Sequence, residues 1–268
     1  MADWTRIGSR GQVLDRRAFG PTAIGGGLGI TGIVLYLLLS YLGSGQININ
    51  DVINSLEQVQ VPTQSINTSQ FEGADSYEVF ASTVLGSAND MWRQVFSQQN
   101  FNYEEPTIVL FRGATPSSCG TADSRVGPHY CPLDGVIYID ETFFDELQKL
   151  GAQGDVAEAY VIAHEVGHHV QNQLGILSNE VSQDDAIRIE LQADCFAGLW
   201  AYSIRHLGVF APGEIAEAMN AAAAVGDDRI QSRYQGRVTP ETWTHGSSEQ
   251  RLDAFNRGYN SGQVSACM

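Results

Sequence analysis

His164-Glu165-Val166-Gly167-His168 brings two imidazoles and a carboxylate together at a spacing suited to metal-assisted chemistry. On a helix, residues four apart share a face, so His164 and His168 point the same way, one turn apart. Two neutral imidazoles so placed can bind one Zn²⁺ at about 2.0–2.1 Å. Glu165, the next residue along, lies beside the metal position instead of on it. There its carboxylate can take a proton from an attacking water and pass it to a leaving amine. The bland alternative is a surface helix with chance histidines, since so short a pattern also arises by accident.

A third ligand stands further on, in Ile187-Arg-Ile-Glu190-Leu-Gln-Ala-Asp194-Cys-Phe. Glu190 completes a set of two histidines and one glutamate and leaves a fourth position open, as a catalytic zinc requires. Asp194, one turn beyond Glu190, can accept the ring N–H of a ligand histidine and fix its tautomer. The competing reading is a solvated acidic pair. The apolar neighbours Ile187, Ile189, Leu191, Ala193 and Phe196 argue for a largely buried helix, and coordination removes the cost of burying a carboxylate. A third histidine at the metzincin spacing after His168 is absent.

These residues need helices to carry them. Asp155 with Glu158 three residues on predicts a capping box and a helix start, ahead of His164. An amphipathic pattern from Ser76 to about Ser97 predicts another helix. Residues 107–111 (TIVLF) and Val136–Asp140 read as strands flanking a Gly/Ser/Pro/Cys loop. Val136–Asp140 is the expected sheet edge along which an extended substrate would lie. Helical patterns dominate from Glu141 onward.

The N-terminal quarter reads differently. Residues 22–43 form an uncharged run of 22, long enough as a helix to span about 33 Å, the thickness of a hydrocarbon core. Residues 1–21 carry four arginines against two aspartates, so the positive-inside bias puts the N-terminus in the cytoplasm and the bulk of the chain outside. The rival is a cleaved signal peptide, but its apolar region would be long and no A-x-A follows. Residues 44–75, rich in Gln, Asn and Ser, read as a stalk. The expected organisation is a cytoplasmic basic segment (1–21), a transmembrane anchor (22–43), a stalk (44–75) and one α+β domain (76–268).

The 268 residues carry a net charge of −16, which repels phosphate backbones and argues against nucleic acid as a partner. Cys119, Cys131, Cys195 and Cys267 all follow the apolar run. No two have the short gap of a four-thiolate zinc site, and an even count beyond a membrane segment fits two disulfides in an oxidising compartment. The short 119–131 loop favours Cys119–Cys131, which leaves Cys195–Cys267.

His-Glu-Val-Gly-His-His-Val-Gln (164–171) with Glu-Leu-Gln-Ala-Asp-Cys (190–195) resembles the neutral zinc metallopeptidases of bacteria, membrane-anchored proteins of the gluzincin type. The likeness extends to Cys119-Gly120, Gly127–Pro132, Tyr138–Asp140, Gly226–Arg229 and Thr244–Ser248 with Arg251. It implies a zincin-like fold with a small sheet and an active-site helix, Zn²⁺ as cofactor and a polypeptide substrate. A histidine late in gluzincin chains often stabilises the oxyanion. His245 is similar in setting and is the candidate for that role, against a purely structural hydrogen bond. His129 is a candidate cleft residue and His169 is expected to pack. The function implied is peptide-bond hydrolysis by a membrane-anchored, extracytoplasmic metalloendopeptidase. The alternatives are a zinc amidase acting on cell-wall peptides and a non-catalytic, zinc-stabilised binding domain.

Overall fold

The structure, a computed structural model, describes residues 1–17, 75–123, 126–177 and 182–268. Helix α1 (Ser76–Gln98) begins where Asp75 accepts the N–H groups of Tyr77 and Glu78, relieving unsatisfied donors of the first turn. Its apolar stripe, including Val84, Leu85, Trp92 and Phe96, is buried as the amphipathic pattern predicts. Strands β1 (Gln12–Asp15), β2 (Thr107–Phe111), β5 (His129–Cys131) and β6 (Val136–Asp140) form one sheet in the order β1-β2-β6-β5. β1, β2 and β6 run parallel, and β5 runs antiparallel to β6. A separate hairpin joins β3 (Ala114–Ser117) to β4 (Gly120–Asp123).

Two expectations change here. β6 is paired on both sides, so it is not the sheet edge. The edges are β1 and β5, and the three residues of β5 inside a Gly/Pro/Cys loop are too few to give a period-two signal. Nor does the domain begin at residue 76. Residues 12–15 add strand β1 to its sheet, and Ile7 and Val13 lie in its core. Four residues between arginines read as a charged flank because the strand is shorter than any periodic window.

The remaining helices are α2 (Phe143–Lys149), α3 (Asp155–Gln173), α4 (Gln183–Ile204), α5 (Ile215–Ala224), α6 (Asp227–Gln235) and α7 (Ser248–Ser261). α3 and α4 carry the two motifs and pack side by side. α4 and α7 cross in backbone contact, because a Cβ on Gly198 would fall 2.1 Å from the Phe255 carbonyl oxygen, and one on Gly258 would fall 1.9 Å from that of Cys195. Larger side chains at either position would separate the two helices. Both expected disulfides are present: Cys119–Cys131 fastens the loop before β4 to the edge strand β5, and Cys195–Cys267 ties the C-terminus to α4. The second closes a separation of 72 residues, which constrains the unfolded chain by about 4 kcal/mol in the chain-entropy model. Among the described residues no helix is long and apolar enough to cross a membrane. The apolar run 22–43 and all but the last residue of the expected stalk lie outside them.

The predicted helix start at Asp155 is correct, but the capping box does not form. Gly154 is the cap, and the Asp155 carboxylate accepts instead from the Ala2 N–H and Trp4 Nε1. Glu158 is left half-buried, and burial together with the nearby charges of Asp155 and Asp145 pushes its carboxyl up to about 7. A carboxyl raised on folding binds a proton more tightly in the folded state. It therefore destabilises the ionised protein, with a cost that develops from about pH 4.5 and is complete above pH 7. Discounted for partial exposure, this is about 1 kcal/mol. Glu158→Gln should raise the melting temperature by about 2–4 °C at pH 8 and leave it nearly unchanged at pH 4.5. An equal shift at both values would show that ionisation is not the cause.

Candidate metal centre

α3 presents His164 and His168 one turn apart, and α4 brings Glu190 against them. His164 Nε2 lies 3.3 Å from Glu190 Oε2, and His168 Nε2 lies 3.4 Å from Oε1. The two Nε2 atoms are 3.1 Å apart. Ligands about 2.05 Å from a tetrahedral ion stand about 3.3 Å from one another, so the two Nε2 atoms are spaced for one ion, and each has a different Glu190 oxygen at a similar distance. The chemistry of the donors agrees. His164 Nδ1 bonds Asp194 Oδ1 at 2.9 Å, and His168 Nδ1 bonds Gln171 Oε1 at 2.8 Å. With each Nδ1–H donating, both Nε2 lone pairs converge with a carboxylate on one point. Three acceptors without a donor define a cation site, and the three residues fit Zn²⁺.

Asp194 acts as the spacing predicts, and it does more. It is wholly buried and also accepts from Tyr160 Oη, Arg251 Nε at 2.8 Å and Arg251 Nη2 at 2.9 Å. Burial alone would push its carboxyl up, but the Arg251 guanidinium and His164 reverse this and bring it to about 2. Arg251 also reaches within 3.7 Å of Glu190 Oε2. Gln171 is held in turn, since its Nε2 donates to Ile189 O and Gln192 Oε1 and so turns Oε1 toward His168. The roles of Arg251, Tyr160 and Gln171 were missed in the sequence. Arg251 stands 57 residues from Asp194, and no local spacing connects them.

Glu165 is buried beside the three ligands, and its Oε2 has no hydrogen-bond partner among the described residues. The ligands and Glu165 border an open cleft of about 520 Å³ that Pro128, His129, Tyr130 and His245 also line. His245 therefore does share the cleft. Its Nδ1 donates to Asp227 Oδ1 at 3.1 Å, while Asp227 Oδ2 accepts the N–H groups of Thr244, His245 and Gly246. Burial raises the Asp227 carboxyl, but these bonds outweigh it and hold it below its usual value. The neighbouring Asp228 caps α7 through Ser248. His129 lines the cleft with its ring stacked on Tyr138. His169 packs as expected, bonding Glu104 O and Tyr130 Oη.

With this geometry in place, comparison with known proteins agrees. The family described as "Putative neutral zinc metallopeptidase" matches residues 2–268, and the chain belongs to that family. The donor set and the family together identify Zn²⁺ as the cofactor. The chain is 41% identical over 274 residues to the uncharacterized protein YpfJ of Escherichia coli (strain K12), covering 96% of this chain and 94% of that one. It is also 41% identical over 215 residues to the uncharacterized protein Rv2575 of Mycobacterium tuberculosis (strain H37Rv), covering 73% and 72%. No solved structure matches.

The purified protein should take up one zinc per chain, and His168→Ala should abolish tight binding. Asp194→Asn keeps every ligand but removes the carboxylate that fixes the His164 ring. Its zinc affinity should fall about 10–100-fold against a competing chelator, scaled to the folded fraction. Undiminished affinity in Asp194→Asn would show that His164 is oriented by something else.

Proposed function

We propose that the chain is a zinc-dependent metalloendopeptidase of the zincin-like, gluzincin type, hydrolysing peptide bonds outside the cytoplasm. The observation that carries this reading is Glu165. A carboxylate oxygen kept out of water without a protein partner, beside a metal-binding triangle and facing an open cleft, is unexplained in a merely structural zinc site. A base needs that position.

When bound, the zinc ion polarises the scissile carbonyl and lowers the pKa of water. Glu165 accepts a proton from the attacking water as its oxygen bonds to the carbonyl carbon. The C–N bond then breaks, and Glu165 returns the proton to the departing amine nitrogen. His245, held through Nδ1 by Asp227, can offer Nε2–H to the developing oxyanion in its imidazolium form, in which both ring nitrogens carry a hydrogen. The edge strand β5 borders the cleft and leaves one row of backbone groups unpaired by β6, which suits an extended polypeptide added as a further strand. The pairing of all four cysteines supports an oxidising compartment.

An amidase acting on short cell-wall peptides would use the same residues, whereas a zinc-stabilised binding domain would give no turnover at all. Cleavage of an unstructured protein that is lost with chelator and restored by zinc separates these readings. Glu165→Gln should bind zinc normally and lose activity by about 10²–10⁴-fold. His245→Ala should also keep zinc, with kcat lowered by about 10²–10³-fold and KM little changed. A stable His245→Ala protein with normal kcat would remove His245 from the mechanism, and a fully active Glu165→Gln protein would overturn the reading as a whole.

A further inference from the structure

The four arginines that give residues 1–21 the look of a cytoplasmic flank are all engaged within the fold. Arg6 bonds Asp3 and the Leu207 carbonyl, and Arg10 bonds the carbonyls of Ile7 and Ser9. Arg16 reaches Thr115 and Pro116 beside the hairpin. Arg17 is shared by Asp15, Asp75 and Glu141. A charge bias that the fold itself explains is no longer a topological signal.

The rest of the segment is equally committed. The Met1 ammonium pairs with Glu214 at 2.7 Å. The Trp4 ring stacks on Trp200 and meets Phe80 and Phe210 edge-on, while its Nε1 donates to Asp155 at the start of the helix that bears His164. Gly11 exchanges two bonds with Ser82. α1 is notched to receive the segment: a Cβ on Gly86 would lie 2.5–2.7 Å from the Arg10 backbone. A helical glycine costs stability relative to alanine, so the notch has a use only if the segment occupies it.

We propose that residues 1–17 are a permanent strand of the metallopeptidase domain and share the compartment of the zinc centre. Arg17 bonds Asp75 at 2.5 Å, so the chain leaves the domain and rejoins it at one point. The apolar run 22–43 lies between those two ends. It cannot be a single-pass span with the N-terminus on the far side while β1 is docked. The inference stands apart from the catalytic reading, because it concerns the fold and not turnover.

The experiment uses the full chain in its native membrane. Gln12 and Thr107 are register partners with side chains 3.1 Å apart. Gln12→Cys with Thr107→Cys should form a third disulfide on mild oxidation, mapped as a linked peptide. Gly8→Cys and Lys149→Cys, made singly at exposed positions, should react with an impermeant maleimide from the same side. Labelling from opposite sides would overturn the proposal, whether or not the cross-link forms. Gly86→Ala gives an independent sign. A docked segment predicts a lower melting temperature, because the new methyl meets the Arg10 backbone, whereas a raised one would mean that the notch is vacant and the proposal wrong.

Discussion

A buried carboxylate persists only where its charge is answered, and Asp194 has no solvent exposure at all. Its two oxygens are answered by Arg251, His164 and Tyr160. Those partners come from α7 and α3, while Asp194 itself lies on α4. The cluster therefore makes the packing of three helices a condition of the metal centre. Removing one partner of such a buried pair typically costs about 3–5 kcal/mol. That is a large part of the stability of a domain this size.

The other features of this region serve that cluster. The Gly198–Gly258 contact sets α7 close enough to α4 for Arg251 to reach Asp194 with both Nε and Nη2. Cys195, adjacent to Asp194, is pinned to Cys267 beyond the end of α7. Ser247 and Gln250 form a capping box at the start of the same helix, one turn from Arg251. Asp227 and Asp228 then bind the segment just before it, which carries His245. The side chain at the cleft and the guanidinium beneath the ligands are thus held by consecutive turns of chain.

What the sequence revealed followed the range of each interaction. His164, His168 and Glu165 were legible because a helix converts a four-residue spacing into a shared face. Glu190 and Asp194 were legible for the same reason, once an apolar context argued for burial. Both disulfides followed from loop length and elimination. Arg251, Gln171 and Asp227 were not assigned roles, because their partners lie on other elements and no spacing encodes a helix crossing. β5 and β1 were missed because three or four residues are too few to show a period. The capping box at Asp155 failed for a related reason: the N-terminal segment, far away in sequence, competes for the carboxylate and wins.

The charge balance at the centre explains why these distant residues are needed. Glu165, Glu190 and Asp194 bring three carboxylates into one low-dielectric region, and Arg251 brings one guanidinium. A divalent cation makes the sum neutral when all three are ionised. Without it, the imidazoles must supply the missing charge. Burial lowers their basicity, yet Asp194 and Glu190 outweigh burial and raise His164 to about 10 and His168 above its usual value. Protonating either imidazole at Nε2 uses up a lone pair that zinc needs. Proton and zinc compete for one position, and metal uptake is therefore linked to proton release. Arg251 sets the terms of that exchange. With it, Asp194 is satisfied whichever cation is present, so the His164 ring keeps its orientation when the metal leaves. The geometry of the ligands is thus fixed by groups that never touch the metal.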